Sequence, residues 1–212
     1  MDATNVLDQP AVTALTPVSI DHVGFLGADL KGIAAEKAAI MRRHVPAVVS
    51  AQTPDANEVI REASEKIGSR LLLQGYEWQL ESTAESIRIE TPHRGLTVPL
   101  PSLTGRHQIQ NAVQALTCLD SWRPDAIPAT AVVDGLRAVH WPGRLQRIVS
   151  GPLVENLSQG WELWLDGGHN PGAGEILAAQ ATGWRDKPLF GIWGMISSKE
   201  PDSFIMPLLP HM

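Results

Sequence analysis

Apolar positions fall into two patterns along the first hundred residues. Between residues 12 and 73, short apolar runs alternate with helical stripes. Val12 to Ile20 predicts a strand. Asp29 then stands as an N-cap before Leu30, Ile33, Ala34, Ile40 and Met41, which recur at helical spacing to about His44. Val45 to Ser50 predicts a second strand, Pro54 opens a helix with Val59, Ile60, Ala63 and Ile67 on one stripe, and Arg70 to Leu73 predicts a third strand. Strand, helix, strand order is the signature of a parallel sheet with crossover helices. From Tyr76 to Leu100 the period drops to two, through Trp78 and Leu80, Ile87 and Ile89, then Leu96 and Val98. That rhythm predicts a small antiparallel insert, with turns near Ser82 and His93-Arg94-Gly95.

A helix is predicted from about Ile109 to Leu119, with Ala112, Ala115, Leu116 and Leu119 inward, and another from Ala129 to Val139 behind Pro128. Trp141-Pro142-Gly143-Arg144 is a rigid connector. Strands follow at Leu145 to Val149 and Glu162 to Leu165, then a glycine-rich turn at residues 166–174, a helix from Glu175 to Ala181, a strand from Pro188 to Trp193 and a helix start near Pro201. The fold class is α/β, with residues 1–146 and 147–212 as two domains. The second is too short for a complete doubly wound unit. The chain also starts without the polar tail that usually frays at a terminus. A piece of a longer protein is expected.

Composition narrows the function classes. Hydrophobic residues make up 43% and charged residues 19%, which fits a folded globular chain. The net charge of -6, with no Lys/Arg-rich run, points away from nucleic acid. No window is long and apolar enough for a bilayer, so no membrane partner is expected. The single cysteine, Cys118, cannot form an internal disulfide, and a reducing, cytoplasmic setting follows.

Candidate chemistry sits at the ends of the predicted strands and the starts of helices. Asp21 and His22 end the first strand, a place well suited to a site. Lys37 falls on the apolar stripe of the first helix. A buried ammonium must lose its proton, find a partner or be chemically altered; alternatively the side chain snorkels to the surface. Asn111 lies in the first turn of its helix, either as a local hydrogen-bonder or as a ligand contact. Arg144 is suited to clamp a phosphate, or to stand on the surface. Asp166-Gly167-Gly168-His169-Asn170-Pro171 follows a strand and opens a helix; it reads either as a tight turn or as a place where the backbone can approach a nucleotide. No G-x-x-x-x-G-K-[ST] phosphate cradle occurs in these 212 residues.

Seven short motifs then fall in one order: Asp2-Ala3-Thr4-Asn5, Asp21-His22, Ile33-Ala34-Ala35-Glu36-Lys37-Ala38, Gly105-Arg106-His107-Gln108 with Asn111-Ala112, Pro142-Gly143-Arg144, Leu165-Asp166-Gly167-Gly168-His169-Asn170-Pro171, and Gly194-Met195 with Lys199. In this order the chain resembles the folylpolyglutamate synthases, including the bifunctional bacterial dihydrofolate synthases, within the Mur ligases. The resemblance implies part of a P-loop-type central ATPase domain followed by the first half of a Rossmann-like C-terminal domain. It implies ATP-dependent ligation of L-glutamate to dihydropteroate or a reduced folate through an acyl phosphate, with Mg²⁺, by a monomeric full-length enzyme.

Carried over by position, His22 would ligate the metal and Lys37 would be carbamylated. Asn111, Arg144 and Asp166 would contact ATP, His169 would sit beside the nucleotide with a catalytic role, and Met1, Asp2 and Ala3 would line the pterin pocket. Gly168 stands where the family more often has Ala, a change expected to be tolerated. The family's P-loop would lie upstream of Met1, so this segment alone is not expected to catalyse ligation. Two other readings stay open: a Mur-type ligase acting on a cell-wall precursor, and a non-catalytic nucleotide-binding module.

Overall fold

Val48 and Val49 are β-branched, fully buried, and lie at the centre of a three-stranded parallel sheet. The computed structural model describes residues 5–20, 29–196 and 201–212. In it, β1 (Thr13–Leu15), α1 (Leu30–Ala38), β2 (Pro46–Val49), α2 (Pro54–Ile67) and β3 (Arg70–Leu73) follow one another, with sheet order β1-β2-β3. Thr13 pairs with Ala47, and Pro46 with Arg70. Alternate residues of β2 serve different cores. Ala47 and Val49 join Leu15, Ile33, Ala34, Ala56 and Ile60 in one cluster, while Val48 joins Leu72, Trp78, Ile87, Val113 and Leu116 in another. Cover on both faces explains why these strands read as continuous apolar runs.

The predicted antiparallel insert is present as β4 (Gln79–Ser82), β5 (Ser86–Glu90) and β6 (Gly95–Pro99), paired in that order. α3 (Arg106–Trp122) and α4 (Ala129–Ala138) follow. Trp78 is 1% exposed, and its indole N–H donates to Leu72 O at 3.1 Å, so its one polar atom is satisfied inside the core. Two compact units result: residues 1–100 with 109–137, and residues 101–108 with 138–212. The second unit holds β7 (Gln146–Ile148), α5 (Pro152–Glu155), β8 (Leu163–Leu165), α6 (Pro171–Ala181) and α7 (Pro201–Ile205). There β7 and β8 pair antiparallel. No helix among the described residues is long and apolar enough to cross a membrane.

Four expectations change. α1 ends at Ala38, well before His44; beyond it Arg42 Nη1 lies 2.9, 3.0 and 3.0 Å from Ala39 O, Ile40 O and Met41 O and shares its two N–H groups among these carbonyls, which supports the early end. Lys37 is exposed rather than facing the core, where Ile33, Ala34, Ala38 and Met41 are buried instead. It stands in the last turn, where a cation complements the carbonyl ends and a four-carbon stem reaches past the edge of the helix. Ala115 is likewise exposed; the buried positions of α3 include Val113, Gln114, Leu116, Thr117 and Asp120. Pro188 to Trp193 forms no strand. It has no ladder partner among the described residues, and although Phe190 lies against the Trp161 ring at 5.3 Å, Phe190 and Trp193 stay 70% and 48% exposed.

Asp120 is 1% exposed and ion-paired with Arg94, whose Nε lies 3.0 Å from it. The guanidinium also donates to Ile127 O at 2.6 Å, and the Thr91 hydroxyl donates to Asp120 at 3.1 Å. This network ties the β5–β6 turn to α3 and to the loop before α4. Arg94→Met should leave the carboxylate uncompensated and destabilise the protein by about 3–5 kcal/mol, read from the urea midpoint. In the second unit, a Cβ at Gly174 would lie 2.2 Å from Phe204 O, a backbone atom that cannot swing aside. Gly174→Ala should therefore lower the thermal midpoint, although alanine is the better helix former by about 1 kcal/mol.

Candidate functional site

The turn from β8 into α6 is organised by one carboxylate. Asp166 accepts from Leu145 N through Oδ2 and from Gly168 N through Oδ1, both at 2.7 Å. A second strand-to-strand bond runs beside it, Gly167 N to Gly143 O at 2.8 Å, and Gly143 N donates to Gln146 Oε1 at 2.9 Å. The connector before β7 is thereby fastened to the turn after β8. Gly143 and Leu145 both take positive φ, 71° and 44°. For leucine that conformation is strained by about 1–2 kcal/mol, and it is held by a side chain buried to 3% exposure and by the bond to Asp166. Arg144 lies between these two residues and is exposed.

The glycines of the turn have separate reasons. A Cβ at Gly168 would come within 2.8 Å of Asp166 Oδ1 and 3.0 Å of Ala173 Cβ. Here the turn has closed onto the glycine, and an alanine would have to push the carboxylate aside. His169 is exposed, with Nδ1 2.9 Å from Gly167 O. Asn170 caps α6, accepting from Ala173 N at 2.9 Å, and Pro171 fills the first helical position, where its missing N–H does no harm. The result is a glycine-rich helix entry with an arginine and a carboxylate close by, suited to an anionic ligand that also carries hydroxyl groups.

His107 belongs to the same unit and had no individual role in the sequence reading. Its ring folds back against Gly105, whose φ of 110° leaves no room for a side chain: a Cβ there would lie 2.6 Å from the imidazole. Nδ1 is buried without a hydrogen-bond partner. Burial lowers the histidine pKa, Asp166 opposes that shift, and Arg144 adds to it. These two effects place His107 within electrostatic reach of both residues. The signal available in the sequence was a glycine two positions before a histidine at a helix start.

The second unit thus brings Arg144, Asp166 and His169 into one region, with His107 added. Asn111 is exposed on α3 and Lys37 on α1, both in the first unit. Met1, Asp2, Ala3, the Asp21-His22 pair and Lys199 lie outside the described residues. Among the described residues, no three His, Cys, Asp or Glu side chains cluster to hold a metal ion.

The family model for the Mur ligase middle domain matches residues 2–119. The chain belongs to the Mur ligase family. The dihydrofolate synthase/folylpolyglutamate synthase of Mycobacterium tuberculosis is 32% identical over 230 residues, covering 99% of this chain and 44% of that protein. The solved Mycobacterium tuberculosis folylpolyglutamate synthase complexed with ADP superposes with a TM-score of 0.82 at 30% identity, over 99% of this chain and 47% of that one. A bifunctional folylpolyglutamate synthase/dihydrofolate synthase with Mn, AMPPNP and L-glutamate bound gives a TM-score of 0.81 at 28% identity, with 99% and 47% covered. This Mur ligase chain spans less than half the length of these relatives.

The lowered pKa of His107 carries a sign. Burial lowers the native pKa below the usual 6.5 of the unfolded chain, so the native protein takes up this proton less readily and stability is lost as pH falls below that value. Denaturation midpoints measured above and below pH 6.5 should show the wild type losing stability relative to His107→Gln as the solution is acidified. An unchanged difference across the range would mean that the pKa of His107 is not lowered.

Proposed function

We propose that the protein carrying this chain is an ATP-dependent carboxylate–amine ligase that joins L-glutamate to dihydropteroate or a reduced folate. The observation that supports this most directly is the Asp166 turn, with its two backbone donors, the adjacent Arg144 and the capped start of α6. Each carboxylate oxygen of Asp166 uses one lone pair on the backbone and keeps another, so the group can accept ribose hydroxyls without losing its own anchors. Arg144 offers a planar fork to the phosphates. On the strength of their motifs, Asn111 contacts ATP and His169 stands beside the nucleotide.

In the reaction the γ-phosphoryl group of ATP passes to the substrate carboxylate, giving an acyl phosphate and ADP. The glutamate amine then attacks the acyl carbon, phosphate leaves, and an amide remains. Such chemistry is chiefly a matter of positioning and of neutralising charge. When bound, Mg²⁺ supplies charge neutralisation at the phosphates, with His22 as its ligand from this chain. Met1, Asp2 and Ala3 line the pterin pocket. Lys37 keeps its assignment as a carbamylated lysine on the strength of its motif alone, since its exposure removes the argument from burial. The proposal includes a cytoplasmic setting, for which the single cysteine speaks, and a monomer, for which the family resemblance speaks; burial pushes the Cys118 thiol up to about 11 and leaves it unreactive.

The test is ADP release by the purified protein that carries this chain, in the presence of dihydropteroate or a reduced folate, with and without L-glutamate. Glutamate-dependent release is expected; release that ignores glutamate, or none, overturns the proposal. Asp166→Ala should weaken ATP by about 1–3 kcal/mol, seen as a raised KM for ATP. Unaltered ATP affinity in a folded variant would make Asp166 a turn-former only. For Lys37, intact mass should show one added carboxylate that disappears when bicarbonate is withdrawn, and Lys37→Arg should lose kcat because a guanidinium cannot be carbamylated. An unmodified lysine with normal kcat in Lys37→Arg removes it from the site.

A further inference from the structure

The carboxyl edge of the parallel sheet is tied by side-chain amides. Gln52 accepts from Val18 N at 2.8 Å and donates to Thr16 O at 3.1 Å, and Gln74 accepts from Ala51 N at 2.9 Å. Both extend the sheet locally, because a primary amide offers a donor and an acceptor much as a backbone peptide does. Gln114 is different in origin, since it reaches the same edge from α3. Its Nε2 donates to Leu15 O at 2.8 Å and to Val48 O at 3.0 Å, and its Oε1 accepts from the Ser50 hydroxyl at 2.8 Å.

This amide can sit only one way round. Turning it over would set its oxygen against two carbonyls. It is 3% exposed and surrounded by apolar packing, so its bonds are not exchanged with water. A buried glutamine is an expensive way to fill space, and methionine would fill the same volume without polar atoms to satisfy. What the amide adds is direction: it fixes the rotation and height of α3 against the last residue of β1 and against β2. Asn111 lies three residues earlier on the same helix, about 4.5 Å along the axis. Ligands of open α/β sheets gather outside the carboxyl ends of the strands, the edge that Gln114 grips.

We infer that Gln114 is a positioning residue that sets Asn111 for nucleotide binding. This rests on the reading of Asn111 as a nucleotide contact given above. Gln114 touches no ligand in this scheme. It holds the helix so that the Asn111 side chain, one turn upstream, meets the nucleotide at a fixed distance and angle, to which a hydrogen bond is sensitive.

The experiment is a double-mutant cycle read by ADP titration of the purified protein that carries this chain. Asn111→Ala and Gln114→Met should each raise the Kd for ADP by about five- to tenfold, the loss expected for one hydrogen bond. If Gln114 acts through Asn111, the double variant should bind ADP within about twofold of Asn111→Ala alone. Additive losses would mean that Gln114 acts on binding by some other route, and an unchanged Kd in Gln114→Met would mean that it only packs; either result overturns the inference. Unchanged ADP binding in Asn111→Ala removes the reading of Asn111 and the inference with it. Weakened binding in Asn111→Ala beside normal binding in Gln114→Met removes the inference alone. Gln114→Glu covers the case in which the methionine variant does not fold. Its carboxylate faces two carbonyls at neutral pH, and protonation restores one donor, so ADP affinity should recover as pH falls. A Kd for Gln114→Glu that tracks wild type at every pH also overturns the inference.

Discussion

A strand buried on both faces must find two separate apolar partners, and β2 imposes that demand on the first unit. Ala47 and Val49 require α1 and α2 on one side, while Val48 requires the insert and α3 on the other. Parallel pairing follows from the same demand, because a parallel neighbour can be reached only through a crossover element that then covers a face. Burying residues such as these contributes about 1.5–3 kcal/mol each, an upper figure because the unfolded chain is itself partly collapsed.

Close packing on both faces leaves the polar ends of the strands as the place where hydrogen bonds must be completed by side chains. Gln52, Gln74 and Gln114 do this at the carboxyl edge. Arg94 and Asp120 do it between the insert and α3, with Thr91 and Ile127 O taking up the remaining donors and acceptors. An unpaired group at any of these points would cost more than its bonds contribute, so each network acts as a constraint on geometry more than as a source of stability.

The second unit relies on a different device. Its two short strands bury little, and Asp166 joins them by accepting from the backbone on both sides, at Leu145 and at Gly168. Under the proposed function the same carboxylate meets the ribose hydroxyls. Strain at Leu145, the closed space over Gly168 and His107, whose pKa burial lowers, all lie near it. Local strain of this kind persists where the neighbouring bonds over-determine the conformation.

Much of this was legible in the order of residues. Strand and helix periods locate β2, α2, β3 and the three-stranded insert, the N-cap at Asp29 is visible as a residue type, and the ordered motifs point to the Mur ligases. These features depend on spacing within a few residues, which the chain states directly. The exposure of Lys37, the missing strand at Pro188–Trp193, the left-handed Leu145 and the role of Gln114 were not legible. Helical spacing placed Lys37 inward, but the early end of α1, supported by Arg42, left its long side chain free to reach solvent. An apolar run became a strand only where another strand offered a ladder. Gln114 gained its bonds from Leu15 and Val48, 99 and 66 positions away. Local pattern fixes which face an element prefers; which partner meets that face, and whether a polar side chain finds its acceptors, is settled by contacts between residues far apart in the chain.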